Sequence, residues 1–200
     1  MFKFNNNPYY RHSVKKKEFI MIRPRISLKT SSLLIGLISD THIPSRAREI
    51  PNSILNDFKE KKIDYLIHLG DFTQLKVLTT LQEMFGKDKV IAVLGNMDNH
   101  QLKKILPENL ELNLFGHKTF ITHGTGGPNI IIKRLNKLHD LTDYEVVIFG
   151  HVHRPYNERW RDGKLYLCPG TPTDKTFTDV NSYGFLRISK GKIEPEIIYL

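Results

Sequence analysis

From Leu33 onward, short unbroken apolar runs alternate with longer stretches in which apolar residues recur every three or four positions. The first kind, at 33–39, 64–69 and 89–94, predicts buried β-strands, and the second kind, at 50–61 behind Pro51 and at 73–85, predicts helices. Strands joined by helices in this way predict βαβ units and a mostly parallel sheet. The second half changes character. HKTFITHG reads as a strand, 128–139 as a helix and EVVIFG as a buried strand, while NERWRDGKLYLCPG reads as a hairpin turning at Asp162-Gly163. A further hairpin, FLRISKGKIEPEIIYL, closes the chain around Gly191, and the stretch between Gly95 and Gly116 is given no element.

At 200 residues with 40% hydrophobic positions, this is one α/β domain with a β-rich C-terminal half. No apolar run approaches the roughly 18 residues that a bilayer span needs, so a soluble, cytoplasmic protein is expected. The formal charge of +9 changes little, because of where it sits. Residues 1–30 hold eight Lys or Arg against Glu18 alone, a local +7 that leaves +2 for the other 170 residues. Residues 1–32 are therefore expected to form a flexible basic extension, with the domain spanning 33–200. The body has no excess charge to suit a nucleic-acid groove, so nucleic acid is not an expected partner. Cys168, the single cysteine, excludes an internal disulfide and a cysteine-based zinc site, which fits a reducing compartment.

The polar residues then add a pattern that strands and helices alone do not require. Five apolar runs each finish in a cluster of Asp, Asn, His and Gly: Asp40-Thr41-His42, Gly70-Asp71, Gly95-Asn96-Met97-Asp98, His123-Gly124 and Gly150-His151-Val152-His153. The carboxyl ends of strands in an open α/β sheet gather at one edge, where such folds place their ligands. Singly, each cluster is ordinary: Asp40 or Asp71 could cap a helix, and His123 could be a hydrogen-bonded core histidine. Together they collect two carboxylates, one amide and four imidazoles, a donor set for Mn²⁺, Fe²⁺, Zn²⁺ or Ni²⁺. Seven ligands exceed one tetrahedral ion. With one shared carboxylate they supply four contacts to each of two ions, which about 3.5–4 Å apart would hold a hydroxide and clamp an in-line phosphoryl displacement. In extended backbone, Asp40 and His42, or His151 and His153, would point to one side while Thr41 or Val152 points away. The other histidines suggest no metal chemistry: His68 lies inside a predicted strand, and His12, His117 and His139 fall in the extension or on surfaces. His100 is near enough to the Asn96 loop to touch a substrate. Cys168 reads as a small buried residue and Trp160 as packing.

The ordered set Asp-x-His, Gly-Asp, Gly-Asn-x-Asp, His-Gly and Gly-His-x-His resembles the calcineurin-like metallophosphoesterases, from Leu33 to Leu200. Residues 39–46, 95–98 and Pro169-Gly170-Thr171 look most like their small single-domain prokaryotic phosphodiesterase branch. The resemblance implies a sandwich of two sheets flanked by helices, with the second half of the chain building the second sheet. It implies that Asp40, His42, Asp71 and His153 hold one ion and that Asp71, Asn96, His123 and His151 hold the other. Asp71 would be the bridge, the ions Mn²⁺ before Ni²⁺, Fe²⁺ or Zn²⁺, and the substrate a phosphodiester whose equatorial oxygens Asn96 helps to stabilise. Many members carry a histidine where this chain has Met97, and a thioether cannot protonate a leaving group. Asp-x-His-Ile-Pro-x-Arg is also similar to the start of the retromer-coat subunit built on this fold, a scaffold that binds proteins through apolar surface, so a protein partner is the alternative expectation.

Overall fold

Alternation along the strands decides the layers. In β1 (Ser32–Ile38), Leu33, Ile35 and Leu37 point into a central core, and Leu34 and Ile38 pack on the opposite face. The structure, a computed structural model, describes residues 31–200; the basic extension expected over 1–32 lies outside them except for Ser31 and Ser32, and Ser32 already belongs to β1.

β1, β2 (Tyr65–His68) and β3 (Val90–Ala92) are parallel neighbours, linked by α1 (Asn52–Glu60) and α2 (Leu75–Phe85), as the apolar periods predict. The second sheet holds β4 (Asn109–Leu114), β5 (His117–Thr122), β6 (Val146–Ile148), β7 (Pro155–Arg159) and β8 (Leu165–Pro169) in the order β4-β5-β6-β8-β7. Its centre, β5-β6-β8, is again parallel, and β4 and β7 close it antiparallel. α4 (Ile131–Leu138) covers its outer face through Ile131, Ile132 and Leu135, packed with Phe120, Val147, Phe149 and Tyr166. The two sheets enclose Leu37, Ile67, Ile91, Ile121, Ile148 and Leu167 between them, and α1 and α2 cover the outer face of the first around Phe58. The result is the two-sheet α/β sandwich expected.

Two features differ from the sequence reading. The last hairpin, β9 (Ser182–Ser189) and β10 (Lys192–Tyr199), joins the first sheet, not the second: the order is β10-β9-β1-β2-β3. With β2 on one side, β1 would otherwise leave its other edge unpaired, and β9 covers it antiparallel from Ser32↔Ser189 to Leu37↔Gly184. The unassigned stretch contains α3 (His100–Ile105), capped by the Asn99 side chain at the amides of Gln101 and Leu102, and then β4. The period-2 run Leu110, Leu112, Leu114 was the readable signal for β4. Among the described residues, no helix is long and apolar enough to cross a membrane.

Candidate metal centre

Five strands of the two parallel cores, β1, β2, β3, β5 and β6, end just before a polar cluster, and the five clusters meet. The backbone there is not extended. Asp40, His42, Asp71, Thr73, His151 and His153 all have positive φ, between 45° and 71°, a region that side-chain-bearing residues occupy at a cost of order 1–3 kcal/mol each. The same-side placement anticipated for Asp40 and His42 therefore arises from left-handed turns beyond the strand, not from strand alternation. Hydrogen bonds hold the turns: Asp40 N donates to Gly70 O at 3.0 Å and His42 N to Asp71 O at 2.9 Å. Thr171 Oγ1 donates to Asp40 O at 2.7 Å and Thr173 Oγ1 to Thr41 O at 2.8 Å. Thr41 does face away, its hydroxyl 3.1 Å from His68 Nε2.

All seven sequence-predicted residues come together. His42 Nε2 and His153 Nε2 are 3.2 Å apart, and Asp40 Oδ1 lies 3.4 Å from His153 Nε2 and 3.9 Å from His42 Nε2. Asp71 Oδ2 stands between two groups, 3.6 Å from His42 Nε2 and 3.5 Å from His123 Nε2. Asn96 Oδ1 is 3.0 Å from both His123 Nε2 and His151 Nδ1. The second oxygen of each carboxylate is anchored: Asp40 Oδ2 accepts from Ser39 Oγ and from His151 N, and Asp71 Oδ1 accepts from Met97 N at 2.7 Å. Close approach matters here. A Cβ on Gly95 would sit 2.1 Å from Asp71 N and Oδ1, so Gly95→Ala should cost about 3 kcal/mol or more in a denaturant melt, with metal uptake lost in parallel.

The electrostatics suit cations. Burial pushes the Asp40 carboxyl up, but the neighbouring His153 and His123 imidazoles and the Ser39 hydroxyl outweigh it and hold it down at about 2. His123 is shifted the other way: burial opposes its charge, yet the Asp71 hydrogen bond and the two carboxylates raise it to about 9. Burial lowers His42 and His151, and holds His68 neutral, down at about 3. A metal-free His123 is thus protonated below pH 9, and an ion must displace that proton. Burial opposes the charge of His153 as well, yet Asp40 and Asp174 raise it, so the apparent Mn²⁺ affinity should rise at least about tenfold per pH unit and level off at about 9, read by calorimetry across a pH series with proton release measured. A pH-independent affinity would exclude His123 as a ligand.

The donor set fits divalent ions. Asp40 Oδ1 is buried without any hydrogen-bond partner, a costly state for a carboxylate oxygen unless a cation faces it. Asp40, His42 and His153, and separately Asp40, Asp71 and His123, bring ligand atoms within 4.8 Å of one another.

Supporting residues that the sequence reading left without a role are Asp98 and Asp174. Asp98 accepts from the amides of Gly95 at 2.7 Å, Thr73 at 2.9 Å and Asp71 at 3.2 Å, so it ties two of the metal-edge turns together. Its place in Gly-Asn-x-Asp was the available signal. Asp174 touches His153 and Arg46 from a loop 21 residues further on, with no local signal. His68 is buried in β2 as expected and stacks on Phe72, but its Nδ1 lacks a partner. His100 is exposed at the start of α3, His117 bonds Glu145, and Cys168 is buried.

Comparison with known proteins agrees with this geometry. The model of the calcineurin-like phosphoesterase superfamily domain matches residues 33–191. A protein of Methanothermobacter thermautotrophicus described as a probable metallophosphoesterase is 36% identical over 166 residues, 83% of this chain and 92% of its own. A Thermotoga maritima protein solved in solution by NMR is 33% identical with a TM-score of 0.65, covering 84% of this chain and 99% of that one. Vps29 of Entamoeba histolytica, solved with Zn²⁺, shares the fold at 21% identity and a TM-score of 0.64, over 84% of this chain and 99% of that one. With the match over residues 33–191 and the five clusters assembled at one edge, the chain belongs to the calcineurin-like phosphoesterase superfamily.

Proposed function

We propose that this chain is a phosphodiesterase that works with two divalent ions, one held by Asp40, His42, Asp71 and His153 and the other by Asp71, Asn96, His123 and His151. The observation that carries this reading is Asp71 Oδ2, nearly equidistant from His42 Nε2 at 3.6 Å and His123 Nε2 at 3.5 Å, where one carboxylate can serve both halves. The ions, when bound, supply Lewis acidity that activates water and offsets charge on the phosphoryl oxygens. The chain's own contribution is placement. His123 Nδ1–H donates to Leu69 O at 2.7 Å, which aims Nε2 at the centre. Asn96, exposed at the opening and fixed through Oδ1, keeps its amide N–H groups free to donate to an equatorial oxygen of the substrate. Met97, 59% exposed beside it, offers no proton to the leaving oxygen. The site therefore favours esters whose leaving group departs without protein-supplied acid, and we assign diesters with good leaving groups, and Mn²⁺ as the working ion.

A second reading follows from the Vps29 likeness, together with the exposure of Ile105, Leu138 and Trp160: a protein-binding scaffold on the same fold. A panel of aryl phosphodiesters and phosphomonoesters, run on protein of measured Mn²⁺ content, separates the two. Diester cleavage that exceeds monoester cleavage and stops on chelation is the expected result. Full metal loading with no turnover of either ester would favour the scaffold.

A further inference from the structure

The four histidines of the centre are not supported alike. His123 is oriented by a neutral backbone carbonyl, Leu69 O, while the contact of His151 Nδ1 with Asn96 Oδ1 joins two residues of the same ion site. The ring of His153 instead has a carboxylate behind it: Asp174 Oδ2 accepts its Nδ1–H, and the carboxylate is fully buried. An edge-on contact with Phe177, centroids 5.4 Å apart, holds the same ring from the side.

Asp174 is itself held on every side. Its amide donates to Thr171 Oγ1 at 3.2 Å, the hydroxyl that also anchors Asp40 O, and its Oδ1 accepts from Thr176 N at 2.8 Å. Arg46, from the turn after His42, donates Nη1 to Asp174 Oδ1 at 3.3 Å and to Thr176 Oγ1, with its guanidinium over the Phe177 ring at 5.1 Å. Asp174 thus joins the loop after β8 to both the His42 turn and the His153 turn. A carboxylate acceptor at one imidazole nitrogen fixes the ring's tautomer and makes the other nitrogen a better ligand.

We infer that Asp174 is a positioning residue that orients His153 Nε2 and strengthens the ion site of Asp40, His42, Asp71 and His153 over its neighbour. This rests on the two-ion reading above. The charges agree with it: that site has Asp40 and Asp71 as ligands with Asp174 behind, whereas the neighbour has Asp71 alone beside neutral Asn96.

The test titrates Mn²⁺ into metal-stripped full-length protein by calorimetry, comparing wild type with Asp174→Asn, which keeps shape but loses the charge, and Asp174→Glu, which keeps the acceptor. Wild type should show two binding steps. Asp174→Asn should weaken the tighter step by about 10–100-fold and leave the other in place, and Asp174→Glu should recover part of the loss. A folded Asp174→Asn with both steps unchanged overturns the inference, as does equal weakening of both. Ring-proton NMR of the Zn²⁺-loaded wild type keeps the question open to refutation should Asp174→Asn fail to fold. A slowly exchanging, downfield Nδ1–H on His153 is expected there, and its absence contradicts the role. Wild type that takes up fewer than two ions refutes the two-ion reading instead, while the His153 ring proton, read in the metal-free protein, still decides Asp174.

Discussion

Asp71→Ala should abolish metal-dependent turnover, and Asp71→Asn should do nearly as much. The carboxylate does two jobs through two oxygens: Oδ2 faces His42 and His123, and Oδ1 accepts the Met97 amide at 2.7 Å, which places Asn96. Asparagine keeps an acceptor for Met97 N but loses the anionic oxygen shared between the halves. Losing a partner one step removed from a metal typically costs about 10–100-fold, so losing the carboxylate that we propose both ions share should exceed that range. The measurement is kcat together with Mn²⁺ content of each variant after stripping and reloading. Wild-type activity in reloaded Asp71→Ala would make the shared-carboxylate arrangement wrong.

The second large effect is a gain. Met97 occupies a position next to Asn96 where many family members have histidine, and at 59% exposure it has room for an imidazole without repacking the core. Met97→His should supply the missing acid, raising turnover of esters with poor, alkoxide-like leaving groups by about a hundredfold. Aryl esters with good leaving groups, which need no proton, should change little. A plot of rate against leaving-group pKa reads the difference as a shallower slope in the variant. Equal slopes would mean that position 97 does not reach the leaving oxygen.

Much of this site was visible in the sequence because each polar cluster follows its own strand: the apolar run announces the strand, and the cluster marks where it stops. Asp40, His42, Asp71, Asn96, His123, His151 and His153 were all found this way, and the structure gathers them at one edge. Backbone conformation was not legible. The positive φ at six of the residues in these turns has no composition signal, since Asp, His and Thr are not the glycines that usually mark such turns. Asp174 was missed because its partner His153 is distant in sequence and its own segment, Thr173-Asp174-Lys175-Thr176, reads as an ordinary polar loop. The placement of β9 beside β1 depended on which edge of which sheet was free, a property of the assembled sheets that no local period encodes.

Asp98 belongs between these cases. Its motif was recognised, yet its work is structural: three amides of the Asp71 and Gly95 turns converge on one carboxylate, and burial raises its pKa in spite of them. Three donated hydrogen bonds are what allow that acid to stay buried beside Asp71.

The central claim is that catalysis requires both ions. The most direct measurement is turnover of an aryl phosphodiester followed while stripped protein is titrated with Mn²⁺, with bound metal determined at each point. The account predicts little activity at one bound ion per chain, a rise as the second binds, and a plateau at two. Full activity at one ion, or turnover that persists in excess chelator, would contradict it.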